Sequence, residues 1–179
     1  MTHCTSTTSD AIPWTIKPIQ PETYGEIFAF INNARETMFP GLYLAPDSEA
    51  LFGPESHFLE ARDGQTLIAV IGYIPYNNRF PQFDYHRTKT AEVVRLYVLE
   101  QYRRCGLAAT LFSTLRDRAV QDGVECFYLH THPFLPGAVS FWKKYGFRVT
   151  QVEENPVWQT THMEAMLKTA KDGTLLQEE

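Results

Sequence analysis

The chain is poor in cysteine, and its three, Cys4, Cys105 and Cys126, form no CxxC pair. An odd set without paired spacing argues against a disulfide framework and for a reducing compartment, the cytoplasm. No apolar run approaches the length of a membrane span, which excludes a transmembrane helix. The opening MTHCTSTTSDAIPW has neither the basic nor the apolar stretch of a secretory signal. It is polar and rich in Thr and Ser, so residues 1–11 are expected to form a disordered leader. Positive charge is not in excess either. The formal net charge is −5, whereas a general nucleic-acid binder is expected to be basic. Neither nucleic acid nor membrane is therefore expected as a partner. Internal repeats and domain linkers are absent. A chain of 179 residues can bury a substantial core as one domain, here residues 12–168, with residues 169–179 as a polar tail that frays.

What the chain does have is one organised stretch, Ala91 to Arg118. Val93 to Leu99 is apolar except for Arg95 and is β-branched at Val93, Val94 and Val98, which predicts a buried strand. A basic turn follows, Arg103-Arg104-Cys105-Gly106. Then Leu107, Ala108, Leu111, Phe112, Leu115 and Ala119 recur at helical spacing, with Arg116, Asp117 and Arg118 on the other side. Strand, glycine-containing turn and helix aim backbone N–H groups and a helix N-terminus at one place, where an anion such as phosphate is favoured.

The remaining elements are shorter. Trp14 to Ile19 alternates like an edge strand interrupted by Pro18. Pro21 opens a helix whose apolar stripe is Tyr24, Ile27, Phe28, Ile31 and Ala34, ending near Glu36 or Thr37. The segment Met38 to Pro54 suits a lid with a short helix around Asp47 to Leu51. His57 to Arg62 and Thr66 to Ile74 are strands joined at Asp63-Gly64, and Tyr76 to Arg87 is a polar, aromatic loop. Val124 to Thr131 is a strand, and Pro136 starts a helix that ends at Gly146 as a left-handed cap. Phe147 to Val152 and Trp158 to Leu167 are the last strands. The expected fold is α+β: a mixed, mostly antiparallel, twisted sheet of about seven strands flanked by about four helices.

Arg103, Gly106 and Ala108 satisfy the pattern Gln/Arg-x-x-Gly-x-Gly/Ala. With the strand Cys126 to Thr131, a helix and the ending Lys-Tyr-Gly146-Phe147, the chain resembles the GNAT N-acetyltransferase superfamily over about residues 12 to 168. The resemblance implies acetyl-CoA as co-substrate and no metal. It implies that the turn residues Arg103, Arg104, Cys105, Gly106, Leu107, Ala108 and Ala109 hold the pyrophosphate. The strand backbone at Leu96, Tyr97 and Val98 would bond pantetheine, and Ala138, Phe141 and Trp142 of the later helix would also contact the cofactor. A β-bulge in the family splays this strand from the next, and the thioester lies in the gap.

Acetyl transfer to an amine must dispose of a proton, because a primary amine is mostly protonated at neutral pH. Glu92, fourteen residues before Gly106, resembles the catalytic glutamate of the histone-acetylating branch. It equally suits a strand-entry residue that faces water or pairs with Lys89 or Arg95. The family's acid, a Tyr four residues before the glycine of Gly-Phe, is replaced by Trp142, whose indole is no acid at this pH. The family's Asn three residues before the helix alanine is replaced by Leu135. Tyr145 is the alternative acid and also suits packing. Tyr97, His130 and His132 are candidates by neighbourhood. His130-x-His132 has no third ligand in register for a metal. Cys105, beside two arginines, suits either a reactive thiol or a small turn residue. The aromatics Phe39, Tyr43, Phe52, Tyr76, Phe80, Phe83 and Tyr85 suit either an acceptor pocket or packing.

Two functions follow: an acetyltransferase acting on a primary amine of a small molecule or protein, or a catalytically impaired CoA-binding regulatory module of the same fold. A tRNA-acetylating toxin of the superfamily is disfavoured by the negative charge. Trp158 and the last strands could pair in a homodimer.

Overall fold

The structure is a computed structural model that describes residues 14–42 and 49–167. The expected leader, the polar tail, Tyr43 and the first part of the expected helix at Asp47 lie outside the described residues. Seven strands form one sheet in the order β1-β2-β3-β4-β5-β7-β6. They are β1 Thr15–Pro18, β2 His57–Asp63, β3 Thr66–Pro75, β4 Thr90–Val98, β5 Cys126–Thr131, β6 Arg148–Val152 and β7 Thr161–Met166. The helices are α1 Tyr24–Met38, α2 Leu107–Gln121 and α3 Ala138–Lys144. The β4–β5 pair is parallel, while β1–β2, β2–β3, β5–β7 and β6–β7 are antiparallel. This is the expected mixed, mostly antiparallel sheet.

Among the described residues there are three α-helices rather than about four. The segment expected to be a second helix is a single 3-10 turn, Glu49–Phe52. Pro21 opens a 3-10 turn, Pro21–Thr23, that leads into α1. Helix α3 starts after Gly137, whose φ of +75° breaks the run expected from Pro136. The last strand begins at Thr161 rather than Trp158, because the Asn155 side chain accepts hydrogen bonds from the Val157 and Trp158 backbone N–H groups and holds 155–158 as a turn.

Two compact units share β4 and α2: residues up to Ile74 with Val94–Leu115, and Pro75–Val93 with the chain from Arg116 onward. In the first, Ile27 and Ile31 of α1, one helical turn apart, pack on Phe58, Leu67, Val70 and Val94. Each such side chain, fully buried, contributes roughly 1.5–3 kcal/mol. Adding a Cβ at Gly72 would bring it 2.3 Å from the Phe58 ring, so close packing dictates glycine there. Fully buried Glu60 pairs with Arg62, which also grips Glu26 of α1 through both guanidinium nitrogens. In the second unit, β5 buries Cys126, Phe127, Tyr128 and Leu129 in succession, as expected of a strand covered on both faces. Gly146 closes α3 with φ +89°, as its position predicted.

Candidate active site

The turn after β4 is built mostly from backbone. Within the strand, Arg95 takes φ +59°, a left-handed value that costs a non-glycine residue on the order of 1–3 kcal/mol. It lies three residues beyond the last parallel partner, Glu92↔Tyr128. After Leu99 the chain makes a 3-10 turn, Glu100–Tyr102. Arg104 (φ +63°) and Gly106 (φ +86°) then turn it into α2. The first α-helical bond runs from Thr110 N–H to Gly106 O at 3.0 Å. The N–H groups of Leu107, Ala108 and Ala109 belong to the first turn, where a helix has no internal acceptor for them. A Cβ on Gly106 would meet nothing within 4 Å, so the space before these donors is open. That open approach and donor set suit a phosphate.

Several side chains of the turn have partners within it. Arg103 Nε donates to Val98 O at 2.9 Å, and its guanidinium lies 5.4 Å from the Tyr97 ring centroid. The Cys105 thiol donates to Tyr102 O. Leu107 is buried in the core, so only its backbone can serve a ligand. Leu96 and Tyr97 are half-buried and Val98 is buried. On α3, Trp142 is buried against Phe147 at 5.2 Å, while Ala138 and Phe141 are half-buried. Tyr145 caps α3 with its ring 4.8 Å from Phe141, the arrangement of a packing residue.

The second cluster is built from side chains. Glu92 is 2% exposed. Both its oxygens accept from Arg79, each at 2.6 Å, and Oε1 lies 3.2 Å from Nδ1 of His130. Burial pushes the Glu92 carboxyl up, but the hydrogen bonds from Arg79 and His130 outweigh it and hold it at about 2. The same pairing raises the Arg79 guanidinium, which lies 4.7 Å over the Phe80 ring. Buried Glu92 does not face solvent, and Lys89 Nζ donates to Asp122 O. A carboxylate only accepts, so His130 donates from Nδ1; in the neutral ring that tautomer leaves the lone pair on Nε2. The His130 side chain is 34% exposed. Glu92 is therefore a weakly basic, doubly clamped carboxylate, and His130 is a partly exposed imidazole oriented by it.

Beneath this pair runs a buried chain. The Tyr128 hydroxyl is 2.7 Å from His162 Nδ1, and His162 Nε2 is 2.8 Å from Glu153 Oε1. Since Glu153 accepts, His162 donates from Nε2; in the neutral ring Nδ1 then accepts the hydrogen bond of the Tyr128 hydroxyl. Burial, followed by the charge of Glu92, raises the Tyr128 phenol. Phe80 and Phe83 face His162 at 4.9 and 5.0 Å. Tyr76 lies 5.3 Å from Tyr85 and 4.8 Å from Tyr128. These loop aromatics pack on one another, while Phe52 packs with Tyr24, Phe28 and Phe58 in the other unit.

Of the residues predicted from sequence, the structure joins Glu92 to His130; Tyr128, which the sequence did not single out, has its ring 6.4 Å from that of His130. The Tyr145 ring lies 4.8 Å from Phe141, and the His132 ring 6.0 Å from that of His130. Arg79, His162 and Glu153 escaped the sequence reading. Alternation along β5 is the one signal that could have grouped Tyr128, His130 and His132 on a single face; nothing in the loop marks Arg79 as their partner.

No helix among the described residues is long and apolar enough to cross a membrane. The sequence profile of the acetyltransferase (GNAT) family matches residues 21–147. A probable N-acetyltransferase, san, of Drosophila melanogaster is 33% identical over 66 residues, which are 34% of this chain and 36% of that protein. The match thus spans about a third of that relative's length. A GNAT-family acetyltransferase from Staphylococcus aureus shares the fold with a TM-score of 0.67 at 17% identity, over 87% of this chain and 99% of that one. The PaiA N-acetyltransferase of Thermoplasma acidophilum, solved with coenzyme A, has a TM-score of 0.63 at 18% identity, over 87% and 99% of the two chains.

Proposed function

Because the chain belongs to the acetyltransferase (GNAT) family, we propose that it transfers an acetyl group from acetyl-CoA to a primary amine, with His130 taking the amine proton. The observation that carries this assignment is the Arg79–Glu92–His130 arrangement, with contacts of 2.6 Å and 3.2 Å. Glu92, expected as the base, instead orients His130. Its oxygens are occupied by Arg79 and its proton affinity is low.

Acetyl-CoA supplies the thioester carbon, to which the amine nitrogen bonds as the C–S bond breaks. The first-turn N–H groups of Leu107, Ala108 and Ala109, reached past Gly106, are the donors suited to its pyrophosphate. The Nδ1–H of His130, held by Glu92, fixes the ring so that Nε2 accepts the proton lost from the amine. The proton that returns to sulfur comes from water, since Trp142 is buried and is no acid.

The acceptor is an amine borne by a small molecule or protein, and the compartment is the cytoplasm, a reducing one that suits Cys105 and Cys126, neither of which is in a disulfide. Edge strand β6 is exposed along its length, which suits pairing with a second copy. Nucleic acid and membrane are not among the partners of this reading, on the net charge of −5. The test is release of free CoA thiol from acetyl-CoA across a panel of primary amines. Amine-dependent release is the expected result. Saturable CoA binding without turnover of any amine would instead favour a CoA-binding module.

A further inference from the structure

Side chains alternate along a strand, so Tyr128, His130 and His132 emerge on one face of β5 and its continuation. The His130 and His132 rings are accordingly neighbours, 6.0 Å apart. Beyond His132 lies a group of aromatic rings. Phe134 stacks on His132 at 5.1 Å with only 5° between the planes. Trp158 stands 5.3 Å from His132 at 49°. Two braced turns hold these rings: His132 Nδ1 lies 3.0 Å from Trp158 O, and Leu135 N–H donates to His132 O at 3.1 Å. Phe134 is nevertheless 43% exposed, large for a phenyl ring fixed in place.

Two carboxylates lie on the chain that leads into Trp158, one of them bonded to His162. Glu153, a third exposed, and exposed Glu154 precede Trp158 on the same connection. Arg148, at the start of β6, is paired with Glu164. An ammonium is attracted to such a surface and a carboxylate is repelled. A flat apolar group can continue the Phe134–His132 stack, since offset aromatic pairs gain beyond the area they bury.

We propose that the acceptor is a small arylalkylamine, whose ring seats on Phe134 and Trp158 while its amine reaches His130 past His132. This rests on the acetyltransferase reading above and adds the substrate class. Phe134 and Trp158 are then specificity-determining residues. His132 separates them from the base, so that a short carbon spacer between ring and amine fits.

The test compares 2-phenylethylamine, ethylamine and a peptide with a free N-terminus as acceptors for the full chain. Phenylethylamine is expected to exceed ethylamine in kcat/KM by roughly ten-fold or more. Phe134→Ala and, separately, Trp158→Ala should remove most of that advantage, chiefly through KM. Trp158→Ala keeps the carbonyl that holds His132, so it separates loss of the ring from loss of the turn. Phe134→Tyr, which preserves the ring, should retain the advantage. Equal rates with phenylethylamine and ethylamine overturn the proposal and leave the acetyltransferase reading standing. So does a ring preference that neither alanine variant moves, or a peptide that outcompetes phenylethylamine. No turnover of any amine, with CoA binding intact by calorimetry, overturns both.

Discussion

The phosphate turn and the Glu92 cluster differ in what they are made of. The turn, Arg103 to Ala109, is consecutive in the chain, and the role proposed for it uses backbone donors and one left-handed glycine. The cluster gathers Arg79 from a loop, Glu92 from β4 and His130 from β5, and its function resides in side chains. The first should therefore tolerate side-chain changes that leave the backbone path intact. In the second, loss of Arg79 strands a buried carboxylate.

The largest expected effect follows from removing the cation of the cluster. Arg79→Met leaves Glu92, 2% exposed, as a buried carboxylate with only His130 beside it. Breaking a buried pair in this way costs about 3–5 kcal/mol, measurable by urea unfolding at neutral pH. Arg79→Met combined with Glu92→Met should recover much of the loss, because the uncompensated charge is then gone. A single Arg79→Met variant as stable as wild type would break the contrast between the two regions.

Acid should act on the same cluster. The Glu92 carboxyl is lowered from 4.5 to about 2. A depressed carboxylate contributes stability above its unfolded value and loses it as the pH falls toward its folded value. The contribution is on the order of 3 kcal/mol at neutral pH. It should fade between about pH 5 and 2, and Glu92→Gln should flatten that part of the stability–pH curve. A curve of unchanged slope would place the acid sensitivity elsewhere.

Smaller effects are expected at the turn. Gly106→Val places a β-branched residue at φ +86° and crowds the approach to the first-turn donors. The KM for acetyl-CoA should rise about ten-fold, with kcat moved less. The smallest effect is at Cys105, whose thiol is spent on the Tyr102 carbonyl. Cys105→Ser should change the KM for acetyl-CoA by less than about three-fold. A large loss there, or none at Gly106, would mean that the side chains of the turn do more than its backbone.

The same contrast explains what could be read before folding. Apolar spacing exposed the core face of α2, and the Gly106 turn was visible because the residues that make it are adjacent. The α1 stripe at Ile27 and Ile31 was equally local. Lost from view were features decided at long range or by one polar side chain. Asn155 shortened β7 by capping the turn through Trp158. Gly137 delayed α3. Arg79 lies thirteen residues before Glu92 on a loop with no periodicity, and His162 meets Tyr128 only through strand pairing. Glu92 was singled out as a possible general base, but the Arg79 and His130 contacts of its carboxylate are ones that spacing cannot supply.

The central claim is that His130 takes the proton and Glu92 orients it. The direct measurement is kcat for His130→Ala and Glu92→Gln with one accepted amine at saturating acetyl-CoA, with CoA affinity measured alongside. Removing a proton-accepting group costs on the order of 10²–10⁴ in rate, so His130→Ala should fall that far while Glu92→Gln falls less and both bind CoA normally. If Glu92→Gln abolishes transfer while His130→Ala stays near wild type, the carboxylate is the base and the account is wrong.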